Sequence, residues 1–330
     1  MLANGSRTFL AASLLLPRAV RDPACALYAF CRVADDAIDT APEGEVDAAL
    51  ADLRRALDRV YDGAPAGAIE RAFAFVVRRH GIPRALPEGL LEGFAWDVAQ
   101  RRYESMADLH DYAARVAGTV GAMMALVMGA RSPAALARAC DLGVAMQLSN
   151  IARDVGEDAR LGRVYLPLAW LRQAGIDVDG LVAAPRHDAR LGRVVARVLA
   201  HAEALYARVG AGVAELPAGC RIGINAARFL YAEIGHEVGR RGGNSIDSRA
   251  VVPTWRKAAL LARAVACVMP RRGEIEPPLS ATRHLVDAAS SARPAVPVAG
   301  GRTEGRVVWL LELFERLERQ DRLRHAGSVR

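Results

Sequence analysis

The stretch Gln147-Leu-Ser-Asn150-Ile-Ala-Arg153-Asp154-Val-Gly-Glu157-Asp158 decides how the chain is read. Positions 147, 150, 154 and 158 step by three, four and four. On an α-helix that spacing aligns two amides and two carboxylates in one polar stripe along an otherwise apolar rod. A second stretch, Tyr28-Ala-Phe-Cys-Arg-Val-Ala-Asp35-Asp36-Ala-Ile-Asp39, repeats the device. Asp35 and Asp39 are one helical turn apart on one face. At about 6 Å and an effective dielectric of about 20, two such charges repel by nearly 3 kcal/mol. A divalent cation reverses the sign. Oxygen donors without neighbouring His or Cys favour Mg²⁺ (or Mn²⁺) over zinc, and Mg²⁺ commonly shares phosphate oxygens with a substrate. A single i,i+4 acid pair is commonplace on a solvated helix face. Two pairs, each in an apolar helix and each beside an arginine (Arg32 and Arg153), point to a site.

The rest of the chain agrees with a helical reading. Of 330 residues, 52% are hydrophobic, 25% charged and only 5% aromatic, a globular composition poor in the β-branched and aromatic residues that strands favour. Apolar residues recur at intervals of three and four, predicting helices near 22–40, 45–62, 66–80, 87–102, 105–129, 132–157, 164–173, 187–214, 218–240, 251–268 and 303–324. Breakers separate them: Pro42, Gly63 with Pro65, Gly81 with Pro83, Ser132-Pro133, Gly162, Pro185 and Gly242-Gly243. From Pro270 to about Thr303 Pro, Gly, Ser and Ala dominate and the helical period vanishes. The expected division is a helical body over 1–270, a flexible loop over 271–303 and an amphipathic helix over 304–330. That last helix presents Val307, Leu310, Leu311, Phe314 and Leu317 on one face. It fits docking on the body, with a membrane-surface contact as the other reading.

Charge and cysteine usage set the surroundings. Lys+Arg number 44 against 37 Asp+Glu, a formal charge of +7. Arginine is spread along the chain and Lys257 is the only lysine, so no nucleic-acid partner is expected; the balance permits an anionic ligand. Five scattered cysteines with no C-x-x-C spacing indicate neither a disulfide framework nor a zinc site, and fit a reducing cytoplasm. The apolar run Val116 to Ala130 is shorter than the roughly 18–20 residues of a spanning helix. Its small residues suit either close helix packing or a tunnel for an apolar tail. Phe9 to Leu16 lacks the cleavage pattern of a signal peptide.

Together these features describe two helices from distant parts of the chain facing each other across a cavity. Their acid pairs hold metal ions, the ions grip a diphosphate, and apolar walls protect the carbocation left by its departure.

The residues Tyr28 to Asp39, and Asn150 to Pro167 with its ending Leu161-Gly-Arg-Val-Tyr-Leu-Pro167, resemble the two signatures of the squalene/phytoene synthases, nearest to the bacterial phytoene-forming branch. Ser6-Arg7-Thr8-Phe9, Gly93-Phe-Ala-Trp-Asp97, and Tyr112 with Val116-Ala-Gly-Thr-Val-Gly121 extend the resemblance over about residues 5 to 268. It implies an all-α isoprenoid-synthase fold, a single helical bundle around a central apolar cavity. It also implies a prenyltransferase that condenses two geranylgeranyl diphosphates head to head, through prephytoene diphosphate, to phytoene at the entry to carotenoid synthesis. Carried over residue by residue, Asp35, Asp39, Asp154 and Asp158 would bind metal, with Asp36 as a helper. Arg32, Arg153, Arg249, Ser6 and Arg7 would contact diphosphates. Tyr28, Tyr112, Gln147, Asn150, Tyr165 and Tyr231 would line the site, where ring faces attract positive charge. Gly5 stands where some relatives carry a polar residue.

Within that family a squalene synthase would need NADPH. None is expected here: no C-terminal membrane anchor is expected and both motifs read as in the phytoene-forming branch, while the lack of a third glycine after Gly210 and Gly212, where Glu215 stands, adds little because squalene synthases use no Rossmann domain. A dehydrosqualene synthase using C15 substrates stays open, because chain length depends on tunnel depth. A non-catalytic assembly factor of the same superfamily would be expected to have lost acidic residues, and both pairs are complete here. Partly insoluble substrates and an insoluble product imply peripheral attachment to the cytoplasmic membrane surface and association with the next carotenoid enzyme.

Overall fold

A computed structural model describes residues 15–42, 44–267 and 276–292. They form α1 (Arg18–Asp39), α2 (Val46–Tyr61), α3 (Gly67–His80), α4 (Ala85–Val98), α5 (Met106–Ala113), a π-helical turn (Ala114–Gly118), α6 (Thr119–Val127), α7 (Pro133–Arg160), α8 (Leu168–Gln173), α9 (Val178–Ala183), α10 (Ala189–Val213), α11 (Ala218–Arg240), α12 (Thr254–Ala266), a 3₁₀ turn (Ser280–Thr282) and α13 (Arg283–Ser290). No strand occurs among the described residues. No helix among them is long and apolar enough to cross a membrane.

The 28-residue α7 is the axis. Pro133 sits in its first turn and the Ser132 hydroxyl accepts from the Ala135 N–H, so its start is fixed by a pre-set φ and a satisfied amide. Apolar residues occur on most sides of α7, as expected of a helix surrounded by others, and α10, α11, α6 and the π turn pack on it. The closest approach is made by glycine. A Cβ at Gly143 would lie 2.2 Å from the Ala117 carbonyl oxygen, and one at Gly121 would lie 2.2 Å from that of Ala139. The two segments therefore touch backbone to backbone.

The single helix expected over 105–129 is interrupted by the π turn. One wide turn shifts the helix faces, and Val116, Ala117, Val120, Gly121, Met124 and Met128 line the central cavity while Met123 is packed in the core. Of the two readings of the small-residue run, close packing is seen at Gly121, which also borders the cavity.

The segment expected to be a flexible loop needs correction. Ser280 to Ser290 is helical, and Leu285, Val286 and Ala289 are buried against the body. Two turns carry too few apolar positions to show a period inside a Pro- and Ala-rich stretch. The helix α9, also unexpected, is equally short; Asp177 caps it by accepting from the Gly180 N–H. The helix expected at 304–330 lies outside the described residues.

Replacing Gly143 by Ala should destabilise the protein by about 1–3 kcal/mol through overpacking, seen as a fall of several degrees in the thermal midpoint. Gly239→Ala, where a Cβ meets nothing within 4 Å, should be neutral or slightly stabilising. Equal effects at the two sites would contradict the close approach.

Candidate active site

The cavity runs between α1, α4, the α5–α6 segment, α7, α10 and α11, and encloses about 1650 Å³ counting its open mouth. Its walls are apolar along most of their length. Apart from Arg138, the polar residues gather at one end: Asp35 and Asp39 from α1, Asp97 from α4, Tyr112 from α5, Gln147 and Asn150 from α7, and Arg163 beyond α7. Tyr28 and Tyr231 face the same space from α1 and α11. Both acidic helices wall the cavity, but Asp154 and Asp158 are not among its lining residues: Asp158 borders a small adjoining space with Arg163 and Tyr165.

Each acid is held differently. Burial, reinforced by the neighbouring Asp39 charge, raises the Asp35 carboxyl to about 6. Asp39 accepts from Arg163 Nη2 at 3.1 Å. Asp36 turns off the cavity and takes Arg32 Nε at 3.0 Å, so it anchors an arginine. Asp154 is gripped by two guanidinium groups. Arg153 donates Nε to Oδ1 at 2.8 Å and Nη2 to Oδ2 at 2.6 Å; Arg249 donates Nη2 to Oδ2 at 3.0 Å, with its Nε 2.9 Å from Oδ1. Asp158, one turn further, is buried, and its Oδ2 has no hydrogen-bond partner. Burial first, and then the Asp154 charge, holds its carboxyl well above the usual range.

Arg249 reaches Asp154 because the loop after α11 is strapped to α7. Gly242 and Gly243 adopt φ of 64° and 75°, a left-handed pair that only glycine takes readily. A Cβ at Gly243 would collide with the Gly192 backbone at 2.7 Å. The Ser245 hydroxyl then donates to the Ala152 carbonyl at 2.6 Å, and the Gly156 N–H donates to the Ser245 carbonyl at 3.1 Å.

Asp97 was visible in the sequence within Gly93–Asp97 but drew no role. It accepts hydrogen bonds from Tyr165 Oη at 2.7 Å and from Tyr112 Oη at 2.9 Å. The two rings stack at 5.1 Å and Tyr103 packs against both. Burial lifts the Asp97 carboxyl to about 6 although both phenols pull it down. The available signal was a lone acid closing an apolar helix; its partners lie 15 and 68 residues away, beyond the reach of helical spacing. Arg163, within Leu161–Pro167, likewise carries no role that the sequence alone indicates.

The remaining expected residues are placed as follows. Tyr165 meets Asp97 and the Asp158 side of α7, off the main cavity wall. Arg32 and Arg153 are buried behind the wall, each on a neighbouring carboxylate. Ser6 and Arg7 lie outside the described residues. Among the described residues no three His, Cys, Asp or Glu side chains stand close enough together to hold a metal. The carboxylates form two separate pairs, and the orphaned Asp158 oxygen is a donor of the kind a hard cation takes.

An all-helical bundle with acid pairs on two of the helices that wall an apolar cavity is an isoprenoid-synthase architecture. The chain matches a dehydrosqualene synthase crystal structure with a TM-score of 0.73 and 30% identity, over 80% of this chain and 93% of that one. The chain belongs to the squalene/phytoene synthase family, whose profile matches residues 2–256. It is 48% identical to the phytoene synthase of Cereibacter sphaeroides, over 98% of this chain and 93% of that protein. The phytoene synthase of Rhodobacter capsulatus is also 48% identical, over 88% of each.

The raised carboxyl of Asp97 makes a signed stability prediction. In the unfolded chain it ionises near 3.8 and in the fold near 6, so ionisation weakens the fold as pH rises between these values. Asp97→Asn should therefore gain on the wild type by about 2–3 kcal/mol between pH 4 and pH 7, measured by urea unfolding of the metal-free protein. A difference independent of pH would contradict the burial.

Proposed function

We propose that this chain is a phytoene synthase, condensing two geranylgeranyl diphosphates head to head through prephytoene diphosphate to phytoene. The observation that supports the reading is the Asp35–Asp39 pair at the polar end of one long apolar cavity, with Asp158 of the α7 pair bordering an adjoining space beside Arg163, the arginine that bonds Asp39. The phytoene synthases at 48% identity support the same substrate and product.

The residues divide the work. Asp35 and Asp39 on one side, and Asp154 and Asp158 on the other, would hold Mg²⁺ (or Mn²⁺). When bound, the metal supplies positive charge to the departing diphosphate. Arg163 and Arg249, already on Asp39 and Asp154, would turn toward phosphate oxygens. Guanidinium forks onto phosphate as readily as onto carboxylate. Arg32 and Arg153 balance the acids from behind. Gln147 and Asn150 orient the polar head from α7. The first diphosphate leaves as its carbon–oxygen bond breaks, and the allylic cation is attacked by a double bond of the second substrate. Loss of a proton closes the cyclopropane. The second ionisation, rearrangement and a final proton loss give the hydrocarbon. Throughout, the faces of Tyr28, Tyr112 and Tyr231 favour positive charge, and the apolar walls exclude water. No step assigned to these residues calls for NADPH.

Product and tails are apolar, and a peripheral place on the cytoplasmic membrane surface is part of the proposal. The exposed Val251, Trp255 and Val265 beside Lys257 and Arg263 on and next to α12 support it.

Purified protein given geranylgeranyl diphosphate and Mg²⁺ without NADPH should form phytoene, with chelator stopping the reaction and Mg²⁺ restoring it. Asp35→Asn and Asp154→Asn should each lower turnover by about a thousandfold with unchanged far-ultraviolet circular dichroism. Preferential turnover of farnesyl diphosphate would move the assignment to a C15 enzyme, and near-normal activity of either variant would sink the metal-site reading.

A further inference from the structure

At the end of the cavity opposite the acids lies a second group of charges that the proposed chemistry does not use. Arg138, one helical turn into α7, lines the cavity and is 4% exposed; Asp141 is fully buried beside it. Arg138 Nε lies 2.9 Å from Asp141 Oδ2, and Arg208 Nε from α10 lies 3.2 Å from the same oxygen. Neither N–H points along a hydrogen bond, and both Asp141 oxygens lack one. Both arginines also donate Nη2 to the Pro277 carbonyl, at 3.2 and 2.5 Å, and Arg208 meets Glu276 at 3.3 Å. The neighbouring lining residues Met128, Ala135, Val213 and Leu216 are all buried.

A buried ion cluster is a poor stability device, because apolar residues of the same volume usually do as well or better. Its geometry has a specific accommodation. A Cβ at Gly212 would lie 2.3 Å from Arg138 Cβ, so only glycine there lets the arginine stem cross between α7 and α10. The helix itself is a ruler. From Asn150 at the polar mouth to Arg138 is 150 − 138 = 12 residues, about 18 Å at 1.5 Å per residue. An extended chain advances about 1.2 Å per backbone bond, so a four-bond prenyl unit spans about 5 Å and four units about 19 Å. Three units stop short of the arginine and five would have to displace it.

We propose that Arg138, held by Asp141 and Arg208 over Gly212, is the floor of the prenyl tunnel and sets the longest tail the cavity admits. It rejects a fifth unit because an apolar terminus cannot enter without separating buried charges. The inference rests on the prenyl diphosphate reading above and adds a residue that measures chain length.

The test is equilibrium binding of non-ionisable thiolodiphosphate analogues with C15, C20 and C25 tails, in the presence of Mg²⁺, to the full-length protein. The wild type should bind the C20 analogue at least about tenfold more tightly than the C25. Arg138→Ala should abolish that discrimination. So should the double replacement Arg138→Leu with Asp141→Leu, which leaves no unpaired aspartate if the single variant fails to fold. Leu142→Phe, one turn above the floor, should move the preference from C20 toward C15. Unchanged C25 discrimination in a folded Arg138 variant would overturn the floor while leaving the proposed function intact. A wild type that binds none of the three analogues would overturn the function and the floor together.

Discussion

Burying like charges in apolar helices is the constraint on which the rest of this structure depends. Asp35 on α1 and Asp158 on α7 stand where desolvation first, and the charge of the neighbouring Asp39 or Asp154 with it, oppose ionisation and raise both carboxyls. Compensation is drawn from across the chain: Arg163 to Asp39, Arg153 and Arg249 to Asp154. The left-handed glycine pair at 242–243, the tight contact with Gly192 and the Ser245 strap all bring Arg249 onto α7. One oxygen of Asp158 is left without a partner. Compensation is therefore incomplete in the protein alone, which is the state a site awaiting a cation and a polyanion should have.

The same helix that carries these acids also carries the opposite end of the cavity. Its amides and acids occupy the stretch from 147 to 158, its small and apolar residues the middle, and Arg138 with Asp141 the first turns. In the proposed binding mode, polar head, apolar tail and tail terminus would meet successive stretches of α7. Gly121, Gly143 and Gly212 let the neighbouring segments close on it without filling the space between. The aromatic side, fixed by Asp97 through two phenols, faces the polar end, where a cation formed by loss of diphosphate would first appear.

Much of this was legible in the sequence because it is local. The stepping of residues 147, 150, 154 and 158, and of 35 and 39, depends only on helical period, and most helices fell within a few residues of their expected bounds. What escaped is set by contacts between distant segments or by elements too short to show a period. Asp97 acquires meaning only when Tyr112 and Tyr165 reach it, and Asp36 loses its expected role because Arg32 draws it off the cavity. Arg138 reads as an ordinary helical arginine until Gly212 and Arg208 are brought beneath it. The helices α9 and α13 are two turns or less, and the π turn alters hydrogen bonding without altering composition.

The central claim is that the two acid pairs bind divalent metal only together with a diphosphate, since neither side has enough carboxylates of its own. Electron paramagnetic resonance of Mn²⁺ titrated into the protein, with and without inorganic pyrophosphate, measures this directly. The account predicts weak binding of Mn²⁺ alone, marked tightening with pyrophosphate, and loss of that tightening in Asp154→Asn. Tight Mn²⁺ binding without pyrophosphate, or binding indifferent to it, would contradict the account.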